Sequence, residues 1–230
     1  MAVAVGAAGP LRHPGGVNLG AHMAVAALAR PGASLDLLAG SALPDVASMG
    51  RVRLQARPQR GTDLAEGVDL HHRTDSLFHR HPWFTDLSQR VTAALTGNGV
   101  ARGPARAVGH VGVELLLDGR LLAEPDHARL VGAGLASLAP PDEQVVALVA
   151  PEHHPRWRLT LERVASHRPP AAHHQPAAVA DRLHRMLAHR RRLALPGEAV
   201  ATVATVLAAH RNEIDDGAES LVVELADQLG

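Results

Sequence analysis

The chain has 230 residues, with 23 arginines against 23 acidic side chains and neither lysine nor cysteine. Disulfides, thiolate zinc sites and cysteine nucleophiles are therefore excluded, and the charge balance argues against an extended electrostatic footprint for nucleic acid. Two Phe, two Trp and no Tyr are too few for a base-stacking surface. The length supports one sizeable core. Heavy use of Ala, Gly and Pro makes the arginine count uninformative by itself, whereas 16 histidines are an unusual supply of metal-ligating and proton-carrying groups. No run approaches the ~18 apolar residues of a membrane span, and the apolar start lacks a basic lead and stops at Pro10. The expectation is a soluble, cytoplasmic protein with no membrane partner.

Residues 1–16 are punctuated by Gly and Pro and read as a loose lead-in, and 17–230 as a single all-α domain. Helical periodicity runs over 18–29, where Asn18 and His22 share a face, until Arg30-Pro31-Gly32 stops it. Ser34 caps a helix over 35–41 that Leu43-Pro44-Asp45 ends or kinks. Arg51, Arg53, Arg57 and Arg60 then surround Pro58 in a basic loop. Thr62 is the N-cap of the next helix, which carries Glu66, His71, His72 and Asp75 and leads to His79, His81 and Pro82. Further helices are predicted over 83–95, 104–122, 126–138, 142–149, 157–166, 179–193, 197–211 and 216–229. The Val-rich runs at 145–149 and 221–225 have strand propensity, but no turn signals place partner strands beside them.

Two spacings carry the chemistry. His71 and Asp75 are four apart, and His110, Glu114 and Asp118 repeat that step twice, so each set forms a polar stripe on one helix face. Alone, His71 and Asp75 read as an exposed pair. Beside Asn18 with His22, and Asp45, they read as one constellation, because several buried acids and imidazoles cost a few kcal/mol each unless paired or metal-bound. A thiolate-free His/Asp/Glu set suits Mn, Mg, Fe or Zn, and such a cation makes bound water acidic enough to attack phosphorus. The expected ligands are His22, Asp45, His71, Asp75, His110, Glu114 and Asp118, with His71 and Asp75 at the catalytic centre. Asn18, His72, His79 and His81 are expected around them or against substrate. Bland alternatives stand beside these roles: Asn18 as a helix cap, Asp45 as a turn residue, His79 and His81 facing water. His72 points about 100° away from His71. A satisfied structural network without metal is the alternative for the whole set.

The order of these motifs resembles the acyl-carrier-protein phosphodiesterase family, which is grouped with HD-type metal phosphohydrolases. The resemblance lies in 18–22, 38–45, Gly67-Val68 leading to His71 and Asp75, Pro82, 114–118 and the arginine-rich 182–193. It implies an HD-like helical bundle and a divalent-metal hydrolase that releases 4′-phosphopantetheine from a serine of an acyl carrier protein. His22, Asp45, His71, Asp75 and Asp118 match the family's polar positions. Glu114 stands where the family usually has Asp, Gly119 where it has His, Phe78-His79 replaces Thr-Asp and His72 replaces Arg. His110 is the chain's own replacement imidazole in this reading. An acidic carrier calls for a basic docking face, for which Arg51, Arg53, Arg57 and Arg60 come first and Arg190–Arg192 second. A diverged, non-catalytic metal- or ligand-binding module is the alternative function.

Overall fold

The computed structural model describes residues 19–166 and 174–230. They form a single-domain all-α bundle of eleven α-helices with no strand; one isolated antiparallel bridge joins Leu54 to Val149. The lead-in at 1–16 and Asn18 lie outside the described residues.

Helix α1 (Leu19–Ala29) is buried along most of its length, as its near-continuous Ala, Met and Val content requires. It packs on α2 (Leu35–Met49), whose N-terminus is capped by Ser34: the Leu37 N–H donates to Ser34 Oγ at 3.2 Å. Leu43-Pro44-Asp45 predicts an end or a kink; the helix does not end there but runs on through the proline to Met49. Pro44 has no N–H to give the Gly40 carbonyl and costs about 3 kcal/mol in a helix interior. Around it Leu43, Val46 and Ala47 are buried, and burying a Val or Leu side chain contributes about 1.5–3 kcal/mol. Tertiary burial outweighs the local penalty.

Helix α3 (Asp63–Phe78) begins at Thr62, whose Oγ1 accepts from Ala65 N–H at 3.3 Å, and it packs most extensively on α2. The two backbones touch at a pair of glycines. A Cβ on Gly67 would stand 2.1 Å from the Leu37 carbonyl oxygen, and one on Gly40 would stand 2.3 Å from that of Leu64. This crossing brings α3 near enough for His71 to reach the backbone of α2.

Helix α4 (Pro82–Gly97) starts on Pro82 with His81 as its cap, and α5 (Arg102–Ala123) is the central helix, contacting α1, α4 and α6 (Pro125–Ala136). Gly109 of α5 lets the α4 backbone approach: a Cβ there would meet Thr92 Oγ1 at 2.2 Å and the Ser88 carbonyl oxygen at 2.7 Å. The Val-rich run at 145–149 becomes the short α7 (Glu143–Val146) and the bridge to Leu54, where Gln55 N–H donates to the Leu148 carbonyl at 2.8 Å. That bridge pins the arginine-bearing loop to the body. Helices α8 (His154–Ser166), α9 (Pro176–Leu187), α10 (Val200–Ala209) and α11 (Arg211–Asp227) complete the bundle. Helix α9 stops at Leu187, short of the predicted 193, in the exposed Ala188–Arg192 turn. The second Val-rich run, 221–225, is helical within α11. Among the described residues no helix is long and apolar enough to cross a membrane.

Candidate metal centre

Three helices converge at the first group of donors: His22 from α1, Asp45 from the last turns of α2 and His71 from α3. Their ligating atoms lie within 4.8 Å of one another. His71 is buried, and its Nδ1 lies 2.9 Å from the Ser41 carbonyl oxygen. A carbonyl can only accept, so Nδ1 carries the proton and Nε2 keeps its lone pair. Fixing a histidine tautomer through backbone is how metal-ligating imidazoles are oriented. The His22 ring stacks on it at 4.0 Å. His22 Nε2 sits 3.9 Å from Asp45 Oδ2 and 3.6 Å from Asp75 Oδ1. His22 Nδ1 and Asp45 Oδ2 are buried without a hydrogen-bond partner. Buried polar atoms are rarely left so. A cation seated among these donors fits the set.

Asp75 connects this group to a second one. The Oδ1 that faces His22 is also 3.7 Å from Nδ1 of His79, the C-cap residue of α3. His79 Nε2 lies 3.0 Å from Glu114 Oε1, and His110 Nε2 lies 3.1 Å from the same oxygen. The His79 and His110 rings stack at 5.0 Å, with Phe84 edge-on to both. His79, His110 and Glu114 thus make a second donor triad within 4.8 Å. Sequence reasoning puts His79 only at the margin, although its signal is present: His71, Asp75 and His79 step along α3 as His110, Glu114 and Asp118 step along α5.

The electrostatics follow from burial and pairing. Burial, then the neighbouring His22, hold His71 well below the usual imidazole value, so it is neutral and ready to ligate. Burial also disfavours charge on His22, but the Asp75, Asp45 and Asp118 carboxylates outweigh it and raise this imidazole. Asp45 is pushed up to about 6 by burial, with His22 pulling the other way. Burial acts upward on Asp75, yet His22, His71 and His79 hold it well below the carboxylate range. Glu114 is likewise buried, and its contacts with His110 and His79 bring it down to about 2. Burial opposes charge on His79, and Glu114 with Asp75 more than compensates, raising it.

The other expected site residues belong to neither donor triad. Asp118 is buried but faces the start of α1, where its Oδ1 accepts the Ala21 N–H at 2.9 Å. Burial pushes Asp118 up to about 7 against the Ala21 and Gly20 hydrogen bonds, and Arg182 of α9 is near enough to feel its charge. Its first task is to cap the start of α1. His81 caps α4, its Nδ1 accepting from Trp83 N–H at 3.3 Å, while its Nε2 meets Glu224 at 3.1 Å. His72 is exposed and lines a cleft of about 810 Å³ with Arg30, Arg57, Arg60 and Arg73. Arg51 and Arg53 are exposed on the same loop.

No protein-family model matches the chain, and comparison with curated proteins and with solved structures finds no match.

Proposed function

We propose that the protein is a divalent-metal-dependent phosphodiester hydrolase of the kind the acyl-carrier-protein phosphodiesterases represent, with His22, Asp45, His71 and Asp75 as its metal-holding residues. One observation supports this reading: the Ser41 carbonyl holds the buried His71 through its Nδ1–H, which leaves Nε2 a lone pair, and a ring nitrogen of His71 clusters with His22 and Asp45, two groups that have buried atoms lacking partners. A purely structural network would satisfy those atoms internally. Bound there, a divalent cation supplies Lewis acidity toward a phosphoryl oxygen and lowers the pKa of water.

The protein's own part is positional. Helices α1, α2 and α3 supply the donors and bury His22 and His71 on the protein side of the centre. The Asp75 side chain, 30% exposed, marks the open side from which a phosphodiester would approach. His22 Nε2, set between Asp45 and Asp75, holds a proton that a cation must displace. Arg57 and Arg60 share their cleft with His72, the residue after His71, so an acidic carrier protein docking on the arginine loop would lie against the helix that bears the centre. Acidic Glu66 and Asp69 line the same cleft, and Arg30 is paired with Glu66 at 2.5 Å.

The alternative, a metal- or ligand-binding module without turnover, is favoured by one feature: Asp118, matched by resemblance to a ligand position, is occupied with the α1 backbone. One assay separates the readings. Metal-free protein is reconstituted with Mn²⁺, Mg²⁺, Fe²⁺ or Zn²⁺ and incubated with a small phosphodiester and with phosphopantetheinylated carrier protein, whose mass is followed. The hydrolase reading expects cleavage that requires a cation. Cation uptake with no cleavage of either substrate supports the binding module, and full cleavage by metal-free protein contradicts the metal centre.

A further inference from the structure

We infer that His79, His110 and Glu114 form a second divalent-cation site, opening into the groove between α4 and α5 where Arg102 and Arg106 hold a phosphate group of the ligand. The cation site rests on its own geometry; a phosphate ester as the groove's occupant rests on the hydrolase reading above.

The distances suit coordination. Both imidazole Nε2 atoms stand 3.0 and 3.1 Å from one Glu114 oxygen. Ligands bonded to one cation at about 2.0–2.2 Å are about 3.0–3.5 Å apart along the edges of a tetrahedron or octahedron. Little movement is needed to admit a cation among them. The outer nitrogen of His79 faces the Asp75 carboxylate at 3.7 Å, an ion-pair approach rather than a hydrogen bond. Phe84 and the buried end of Glu114 keep the inner side dry, and the opposite side is open.

What lies on that open side points to an anionic ligand. His79, Phe84 and His110 head a groove of about 710 Å³ that runs past Ser88 to Arg106 and Arg102. His110, Arg106 and Arg102 are spaced at four-residue steps on α5, so they share a face, each step carrying about 6 Å along the axis. Among the described residues neither Arg102 nor Arg106 is paired with a carboxylate. Ser88 Oγ, in the groove wall, is buried and lacks a hydrogen-bond partner. Two free guanidiniums, a spare hydroxyl and a cation triad along one trough match a phosphate-bearing molecule whose second anionic group lies about 6 to 12 Å from the cation.

The test titrates metal-free protein with Mn²⁺ alone, then with inorganic diphosphate on the Mn²⁺-loaded form. Wild type is expected to take two equivalents of Mn²⁺; His110→Ala and, independently, Glu114→Gln are expected to take one and keep the first site. Arg106→Ala is expected to keep both cations and to bind diphosphate about tenfold more weakly, the loss of one charge-assisted contact. One equivalent in wild type, two in both triad variants, or unchanged diphosphate affinity in Arg106→Ala overturns the inference. Two cations bound without hydrolysis of any phosphodiester uphold the cation site and remove the hydrolase reading. Hydrolysis with a single cation does the reverse.

Discussion

Gly67→Ala is expected to destabilise the protein by about 2 kcal/mol, lowering its melting temperature by about 4–8 °C, although alanine is the better helix former. In an open helix the exchange would gain about 1 kcal/mol. Here the new methyl would lie 2.1 Å from the Leu37 carbonyl oxygen, 2.8 Å from the Ser41 nitrogen and 2.9 Å from Gly40 Cα. All three are backbone atoms and cannot rotate away, so α2 and α3 must separate along their most extensive contact. Separation also lengthens the 2.9 Å bond from His71 to Ser41 and loosens the candidate metal centre. Gly132→Ala, within α6 and with nothing within 4 Å of its new methyl, is the control and should be neutral or stabilising. Thermal unfolding of the two variants decides the matter: a Gly67→Ala protein as stable as Gly132→Ala would contradict the close helix crossing.

His71→Ala is expected to weaken metal binding by more than about a hundredfold and, if the protein is the hydrolase proposed above, to abolish phosphodiester hydrolysis with it, since even supporting residues around metals contribute tenfold to a hundredfold. The change removes the buried imidazole that clusters with His22 and Asp45, and it takes the His71 hydrogen bond from the Ser41 carbonyl, at about 0.5–1.5 kcal/mol. His71→Gln can keep a donor to that carbonyl, so it separates loss of the ligand from loss of the anchor: it should recover stability without recovering metal. His72→Ala is the positional control. It lies next in sequence but is exposed, and metal content should be unchanged. Equal metal content in His71→Ala and His72→Ala would remove His71 from the centre.

Much of the helix register is local and therefore legible in the residues themselves. Ser34 and Thr62 cap where their side chains suit an N-terminus, and Pro82 and Pro125 occupy first turns as proline does. Pro44 misleads because its penalty is local, while the compensation comes from Leu43, Val46 and Ala47 meeting the rest of the core. The same division holds at the site. The stripes His71–Asp75 and His110–Glu114 follow from four-residue spacing, which any helix enforces. That Asp118 turns to the N–H of Ala21, or that His79 meets Glu114, depends on how α1, α3 and α5 approach one another. Spacing along one helix carries no information about that approach. Glycines 40 and 67 mark it in composition only, as small residues whose partners lie on another helix.

Binding of a divalent cation by the His22–Asp45–His71 group is measured most directly by calorimetric titration of metal-free protein with Mn²⁺ at pH 6 and pH 8. Ligands must shed their protons to bind metal. In the metal-free protein His22 lies above its usual value and Asp45 near 6, so at pH 6 His22 holds its proton and Asp45 is about half protonated, and both groups shed protons as the pH rises. His71 is already neutral and Asp75 already ionised across that range. Affinity should therefore rise with pH, with roughly one to two protons released per cation at pH 6 and fewer at pH 8, read from the heats in buffers of different ionisation enthalpy. No binding at either pH, or binding of equal strength and without proton release at both, would contradict a metal centre built on these residues.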